Sequence, residues 1–137
     1  MKHARGPFDV KIAPQKPDND VSQAANLSRM TIDKQFHGDL EGTSKGEMLS
    51  SMSEEVKNSG TYVAIERVTG TLAGRKGSFA LHHTGIMDRG QPNLTITVVL
   101  DSGTGELNGI NGTMNIVIAP DGKHSYDFEY QIPESAK

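Results

Sequence analysis

One stretch, residues 62–87, constrains the fold more than any other part of the chain. It reads YVAIERVTGTLAGRKGSFALHHTGIM, two runs of alternating apolar and polar residues with Gly-Arg-Lys-Gly between them. Alternation with a period of two is typical of β-strands that bury one face, and the glycines mark a turn. The stretch therefore predicts a long antiparallel hairpin.

Similar alternating runs continue along the rest of the chain, separated by turn-forming residues at short, even spacing. These runs cover residues 8–12, 30–36, 94–100, 114–118 and 126–130. Residues 38–52, rich in Gly and Ser, indicate a bent strand rather than a helix. Residues 15–27 form the longest polar connection, where Asp20 is a suitable cap for a short helix. About eight strands result, enough to close a barrel.

A chain of 137 residues has the usual size of one domain. We therefore predict a single domain over residues 1–137. Its predicted fold is all-β: a small, closed, mostly antiparallel eight-stranded barrel.

The central hairpin is predicted to bring a carboxylate and an imidazole together inside this barrel. With a turn centred on Gly74 and Arg75, Glu66 lies opposite His83 and Val68 lies opposite Leu81. Extending this register to the next strand sets His83 beside Val98 and Leu81 beside Leu100. The Pro-Asp-Gly turn at residues 120–122 sets Ile116 beside Tyr126 and Met114 beside Phe128. The residues predicted to line the interior around the Glu-His pair are Phe79, Leu81, Val98, Met114, Tyr126 and Phe128.

Two interpretations of the Glu66–His83 pair remain open. Burial and mutual attraction would couple their titrations, and either group could then act as a general acid or base near neutral pH. Alternatively, the pair is a satisfied polar contact that sets the strand register. Lys34 lies in the apolar set of its strand, so it either extends to the barrel rim or points at a ligand.

Composition excludes several classes of function. The net charge is −3 and no basic face is visible, so neither nucleic acid nor membrane is an expected partner. The chain has no cysteine, and the adjacent His82 and His83 point to opposite faces of a strand, so no metal site and no cofactor are predicted. No apolar signal segment and no bilayer-length apolar run occur, and we expect a cytoplasmic protein.

Four blocks of the sequence resemble a bacterial family of uncharacterised proteins known only as a domain of unknown function. They are residues 39–49 (DLEGTSKGEML), 62–85, 101–116 (DSGTGELNGINGTMNI) and 123–130 (KHSYDFEY). That family is grouped structurally with allene oxide cyclase-like β-barrels, so the resemblance implies a small closed barrel and no particular activity. Allene oxide cyclases isomerise an epoxide of an oxidised fatty acid in an apolar cavity. No motif here matches their catalytic residues, and the cysteine of their pocket has no counterpart, so only the idea of a small apolar ligand in the lumen carries over.

Three functions therefore compete. The first is a barrel that binds a small, mostly apolar ligand among the predicted interior residues, with Glu66 and His83 orienting its polar end. The second is an isomerase or cyclase in which Glu66 or His83 moves a proton. The third is a structural homo-oligomer with a filled lumen, paired through an apolar outer face of Val63, Ile65 and Val99. The absence of a recognisable catalytic motif favours binding.

Overall fold

The computed structural model describes residues 1–133 and shows one closed barrel of eight strands. The strands are β1 (Lys2–Gln15), β2 (Ser28–Phe36), β3 (Leu40–Met52), β4 (Gly60–Leu72), β5 (Arg75–Asp88), β6 (Gln91–Val98), β7 (Asn111–Ile118) and β8 (His124–Gln131). Each strand pairs antiparallel with the next, and β8 pairs with β1 to close the ring. The predicted all-β, eight-stranded antiparallel barrel is confirmed.

β1 is longer than the predicted run of residues 8–12 because it pairs with two different strands in turn. Lys2–Phe8 pairs with β8, and Phe8–Gln15 pairs with β2. Pro14 lies inside β1, at a position where β1 has a partner on the β2 side only. A residue without an N–H group is tolerated in a strand at such an edge.

A helix, α1 (Asp20–Ala25), occupies the long polar connection between β1 and β2. The side chain of Asn19 accepts a hydrogen bond from the Ser22 amide at the start of the helix, so Asn19 is the cap rather than the predicted Asp20. Asp20 lies in the first turn, and no residue of α1 is buried. The helix thus adds little to the core.

The central hairpin has a different register from the predicted one. Leu72 pairs with Arg75, which leaves Ala73 and Gly74 as a two-residue turn with φ values of 48° and 86°. Two positive φ angles are typical of the type I′ turn that matches the twist of a hairpin. The prediction had centred the turn one residue later, so every predicted partner across it is displaced by two residues.

The corrected pairs keep each side chain on its predicted face, because an even displacement preserves the alternation. Glu66 pairs with Leu81, Val68 with Phe79 and Ala64 with His83. In the next ladder Leu81 pairs with Val98 and His83 with Ile96, so the predicted Leu81–Leu100 and His83–Val98 neighbours are also wrong. The predicted pairs of Ile116 with Tyr126 and of Met114 with Phe128 are confirmed.

The two ends of the barrel interior differ in how they are filled. At one end, here called the closed end, rings and aliphatic side chains pack without solvent contact; Phe79 and Phe128 stack with centroids 5.6 Å apart. A 3-10 turn (Gly105–Leu107) between β6 and β7 places the fully buried Leu107 over this end. The connection between β6 and β7 therefore covers this end of the lumen.

At the opposite, open end, apolar side chains on the inward face remain in contact with solvent. The exposed fractions are 47% for Ile12, 41% for Leu94 and 62% for Ile118. The barrel wall is also less tightly paired here. The residue pair that joins β6 and β7, Thr97–Thr113, lies near the end of β6 and the start of β7, on the side of the closed end. The lumen is therefore packed at one end and accessible at the other.

Candidate functional site

Four polar side chains are buried at mid-height in the lumen, between the closed and open ends. They are Lys34 on β2, Ser44 on β3, Glu66 on β4 and His83 on β5, and we call them the polar cluster. Glu66 is 0% exposed, and Lys34 and His83 are each 5% exposed. Each belongs to the inward alternation of its strand, so four neighbouring strands converge on one point.

Glu66 is the centre of the polar cluster because it accepts hydrogen bonds from all three other members. Its Oε2 lies 2.8 Å from Lys34 Nζ and 2.5 Å from His83 Nε2, and its Oε1 lies 2.5 Å from Ser44 Oγ. Gly46 pairs with Glu66 across the β3–β4 ladder, and a Cβ atom at Gly46 would lie 2.7 Å from the Glu66 Cβ. A glycine is therefore required opposite Glu66.

The environment of Glu66 determines its charge. Burial alone would raise its pKa, but the hydrogen bond from His83, the positive charge and hydrogen bond of Lys34 and the Ser44 hydroxyl together lower the pKa of Glu66 to about 2. Glu66 is thus an anion at neutral pH and can only accept hydrogen bonds. It follows that His83 Nε2 carries a hydrogen atom.

Tyr62 extends the polar cluster towards the open end. Its hydroxyl oxygen lies 3.2 Å from His83 Nδ1, and its ring meets the imidazole edge-on with centroids 6.1 Å apart. The ring covers Gly85, its direct partner on β5, where a Cβ atom would overlap the ring carbons. Burial, with a further contribution from the Glu66 charge, raises the pKa of Tyr62 to about 12, so the phenol stays protonated.

An apolar cavity of about 250 Å³ lies beside Tyr62 at the open end, and we call it the mouth cavity. The lining residues in the inward alternation are Met52, Gly60, Tyr62, Gly85, Met87, Pro92 and Leu94, and Thr61, Ile86 and Asn93 of the outward alternation complete the wall. Within residues 1–133, Tyr62 is the one residue that both lines this cavity and bonds to the polar cluster. A continuous chain of contacts therefore runs from Lys34 through Glu66, His83 and Tyr62 to the cavity.

The structure brings the predicted pair together and separates it from most of the other predicted site residues. Glu66 and His83 are in direct contact, although they are diagonal neighbours rather than opposite each other. The predicted interior residues belong to one packed core: Phe79, Leu81, Val98, Met114, Tyr126 and Phe128. The Tyr126 hydroxyl bonds the backbone of His37 and Leu40. A role in ligand contact for these six residues stays a prediction.

Three members of the site were missed or misplaced by the sequence reasoning. Lys34 was expected to reach the rim or a ligand, but its Nζ lies inside, bonded to Glu66 and 5.2 Å from the centre of the Phe8 ring. The available signal was an opposite charge in the inward set of another strand. No role was predicted for Tyr62 or Ser44.

A second concavity lies on the outside of the barrel, between α1 and the outer faces of β3, β4 and β5. It measures about 930 Å³ and includes Arg29, Leu49, Val63, Ile65 and His82 in its walls. Val63 and Ile65 are exposed, as expected for the apolar outer face, while Val99 follows the end of β6. Homo-oligomer formation through this face stays a prediction.

Within residues 1–133, no three His, Asp or Glu side chains are grouped so that they could hold a metal ion. Neither helical segment in this part of the chain has the length and apolar character needed to cross a bilayer.

Comparisons with known proteins agree with the fold and leave the activity open. A family model described as "Protein of unknown function (DUF3224)" matches residues 4–130. A crystal structure of a DUF3224 protein with unknown function from Shewanella oneidensis MR-1 is similar at 46% sequence identity. The match covers 98% of this chain and 99% of that chain, with a TM-score of 0.88. No curated protein matches.

The likeness to allene oxide cyclase barrels receives no support from these comparisons and stays a prediction. The resemblance to an uncharacterised bacterial family is confirmed by the family model and by the Shewanella structure. This chain belongs to the DUF3224 family.

Proposed function

We propose that this barrel binds a small, mostly apolar molecule in the mouth cavity, with Tyr62 and the polar cluster behind it contacting the polar group of that molecule. The observation that carries the proposal is the position of Tyr62, which lines an apolar cavity and also bonds to a buried Lys-Glu-His group. Apolar pockets with a few convergent polar groups are the usual form of small-molecule sites. Buried groups with displaced pKa values are concentrated at such sites.

The unequal filling of the lumen supports the same function. Leu107, Phe79 and Phe128 fill the closed end, whereas Leu94 and Ile118 on the inward face of the open end stay exposed. The exposed apolar side chains at the open end are available to contact an apolar ligand. The cavity of about 250 Å³ lies just below the roughly 300–1,000 Å³ of sites for drug-sized molecules, so the ligand is small.

Methyl NMR tests this proposal. Methionine methyl groups report on both ends of the barrel, because Met52 and Met87 line the mouth cavity and Met114 is buried near the closed end. We expect titration with hexan-1-ol to give saturable shifts of the Met52 and Met87 methyl signals and none of the Met114 signal. Absence of a saturable shift at Met52 and Met87 would overturn the proposal.

An acid–base enzyme is the second candidate, favoured by one observation. His83 bridges a carboxylate and a phenol, with Nε2 at 2.5 Å from Glu66 and Nδ1 at 3.2 Å from Tyr62, which is an arrangement suited to proton transfer. Exchange of the α-hydrogens of hexan-2-one in D₂O tests this candidate. Catalysed exchange that disappears in Glu66→Gln while hexan-2-one still binds would indicate an enzyme, and binding without exchange would indicate a binding protein.

We also propose a cytoplasmic location, which the absence of cysteine supports because extracellular domains of this size commonly use disulfides. The homo-oligomer hypothesis predicts a dimer or larger species in native mass spectrometry, and a monomer that binds hexan-1-ol would exclude it.

A further inference from the structure

We infer that the natural ligand of the mouth cavity carries a carboxylate on a short apolar chain, and that its binding is coupled to uptake of one proton by His83. This inference rests on the proposed function. It follows from where the hydrogen atoms of the polar cluster must lie and from the charge that the cluster can accommodate.

The hydrogen positions in the free protein are determined by Glu66. Since the ionised Glu66 accepts from Lys34, Ser44 and His83, the hydrogen of a neutral imidazole lies on Nε2. Nδ1 is then a lone-pair acceptor, and the Tyr62 hydroxyl must donate its only hydrogen to it across 3.2 Å. With neutral His83, Tyr62 therefore offers only lone pairs to the mouth cavity.

Protonation of His83 reverses the polarity of Tyr62. An imidazolium carries hydrogen atoms on both nitrogens, so Nδ1–H donates to the Tyr62 oxygen and the phenol hydrogen is free to point into the cavity. Tyr62 does not lose that hydrogen to solvent, because burial holds its pKa well above neutral. A ligand with an acceptor group thus finds a donor at Tyr62 only when His83 is charged.

When His83 is charged, charge balance favours an anionic ligand over a ligand with a neutral hydrogen-bond acceptor. Glu66 and Tyr62 from β4 bond directly to His83, Lys34 from β2 and Ser44 from β3 bond to Glu66 beside it, and its β6 partner Ile96 is apolar. The charges of Lys34 and Glu66 cancel, so the polar cluster has no net charge when His83 is neutral. A carboxylate alone would leave one uncompensated charge beside the buried polar cluster, which is unfavourable. A carboxylate together with one proton adds no net charge.

Isothermal titration calorimetry with hexanoate and hexan-1-ol separates this inference from the proposed function. Comparing buffers of different ionisation enthalpy counts the protons taken up on binding. At a pH where free His83 is neutral, we expect hexanoate to take up about one proton and its Kd to rise about tenfold per pH unit. Hexan-1-ol is expected to bind with no proton uptake and little dependence on pH.

Variants locate the proton. Tyr62→Phe keeps the ring over Gly85 and removes the hydroxyl, so hexanoate affinity should fall at least about tenfold and by a larger factor than hexan-1-ol affinity. His83→Gln should abolish the proton uptake. The matched control is His82→Gln on the outer face, which should bind both molecules as the unmodified protein does.

The outcomes are distinguishable. If neither molecule binds at the mouth cavity, the proposed function itself fails. If hexan-1-ol binds but hexanoate binds no better at low pH and takes up no proton, the proposed function stands and the carboxylate inference is wrong. Should His83→Gln not fold, the proton count of the unmodified protein and the Tyr62→Phe result still decide the question.

Discussion

At the scale of single residues, the main feature is a charged group held in an apolar interior. A buried carboxylate is unfavourable unless charge and hydrogen bonds compensate it. Glu66 receives three donors, and no buried side-chain nitrogen or oxygen in the described part of the chain lacks a partner. Every member of the polar cluster therefore has a partner, and removing any one side chain leaves a buried polar group of another member without its partner.

Acid should weaken the fold through Glu66. Its folded pKa of about 2 lies below the ordinary value of 4.5, so the unfolded chain takes up the proton first as the pH falls. The contribution of this group is fully present above about pH 4.5 and is lost towards pH 2; it amounts to roughly 3 kcal/mol. We expect urea unfolding of Glu66→Gln at pH 5 and pH 2.5 to show an acid-induced loss smaller by about 2 kcal/mol, because pH 2.5 is still above the folded pKa of Glu66.

The matched control for this measurement is Glu47→Gln, which changes an exposed carboxylate paired with Arg29 on the outer face. Its acid-induced loss of stability should equal that of the unmodified protein. An unchanged acid response in Glu66→Gln would contradict the ionised, buried state of Glu66.

The sequence allowed the Glu66–His83 contact to be predicted, but not its full surroundings. Both residues lie in inward alternations, and the apolar pattern determines that face whichever even register is chosen. The position of Lys34 could not be predicted in the same way. A lysine is normally excluded from a core, and the partner that stabilises it lies on β4, 32 residues later in the chain.

At the scale of secondary-structure elements, the β4–β5 hairpin shows why the register was missed. The Ala73-Gly74 turn requires a left-handed conformation at an alanine, with φ of 48°. Alanine adopts this conformation at a cost of about 1–2 kcal/mol, and the alternation of the two strands does not distinguish this turn from one placed one residue later. A displacement of one residue in the turn changes each cross-strand partner by two.

The same strain makes the turn a site for stabilisation. Replacing Ala73 with Asn produces Asn-Gly, the preferred pair for a type I′ turn, and should raise the free energy of unfolding by about 0.5–1 kcal/mol. Thermal and urea unfolding measure the change. Gly74→Ala is the opposite control, because φ of 86° disfavours a side chain, and it should lower stability. A destabilised Ala73→Asn variant would contradict the turn geometry.

At the scale of the whole molecule, the number and alternation of the strands allowed the closed barrel to be predicted, but not which end is plugged. The plug comes from the β6–β7 connection, whose apolar Leu107 and Ile110 are buried at the closed end. The Thr104 amide donates to the Ser78 carbonyl and holds this connection against β5. Two apolar residues among glycines show no periodicity, and periodicity is the signal from which buried elements are predicted.

The division of the lumen into a packed end and an open end predicts opposite effects for two leucine substitutions. Leu107→Ala removes a fully buried side chain at the closed end and should lower the free energy of unfolding by about 2–5 kcal/mol, with hexan-1-ol binding at the mouth cavity preserved. Leu94→Asn changes a residue that is already 41% exposed, so its effect on stability should stay within about 0.5–1 kcal/mol. Because Leu94 lines the cavity, hexan-1-ol affinity should nevertheless fall several-fold.

Urea unfolding and calorimetry on the same samples measure both quantities. Equal losses of stability for the two variants would mean that the lumen is one continuous core, and the binding function would then lose its structural basis.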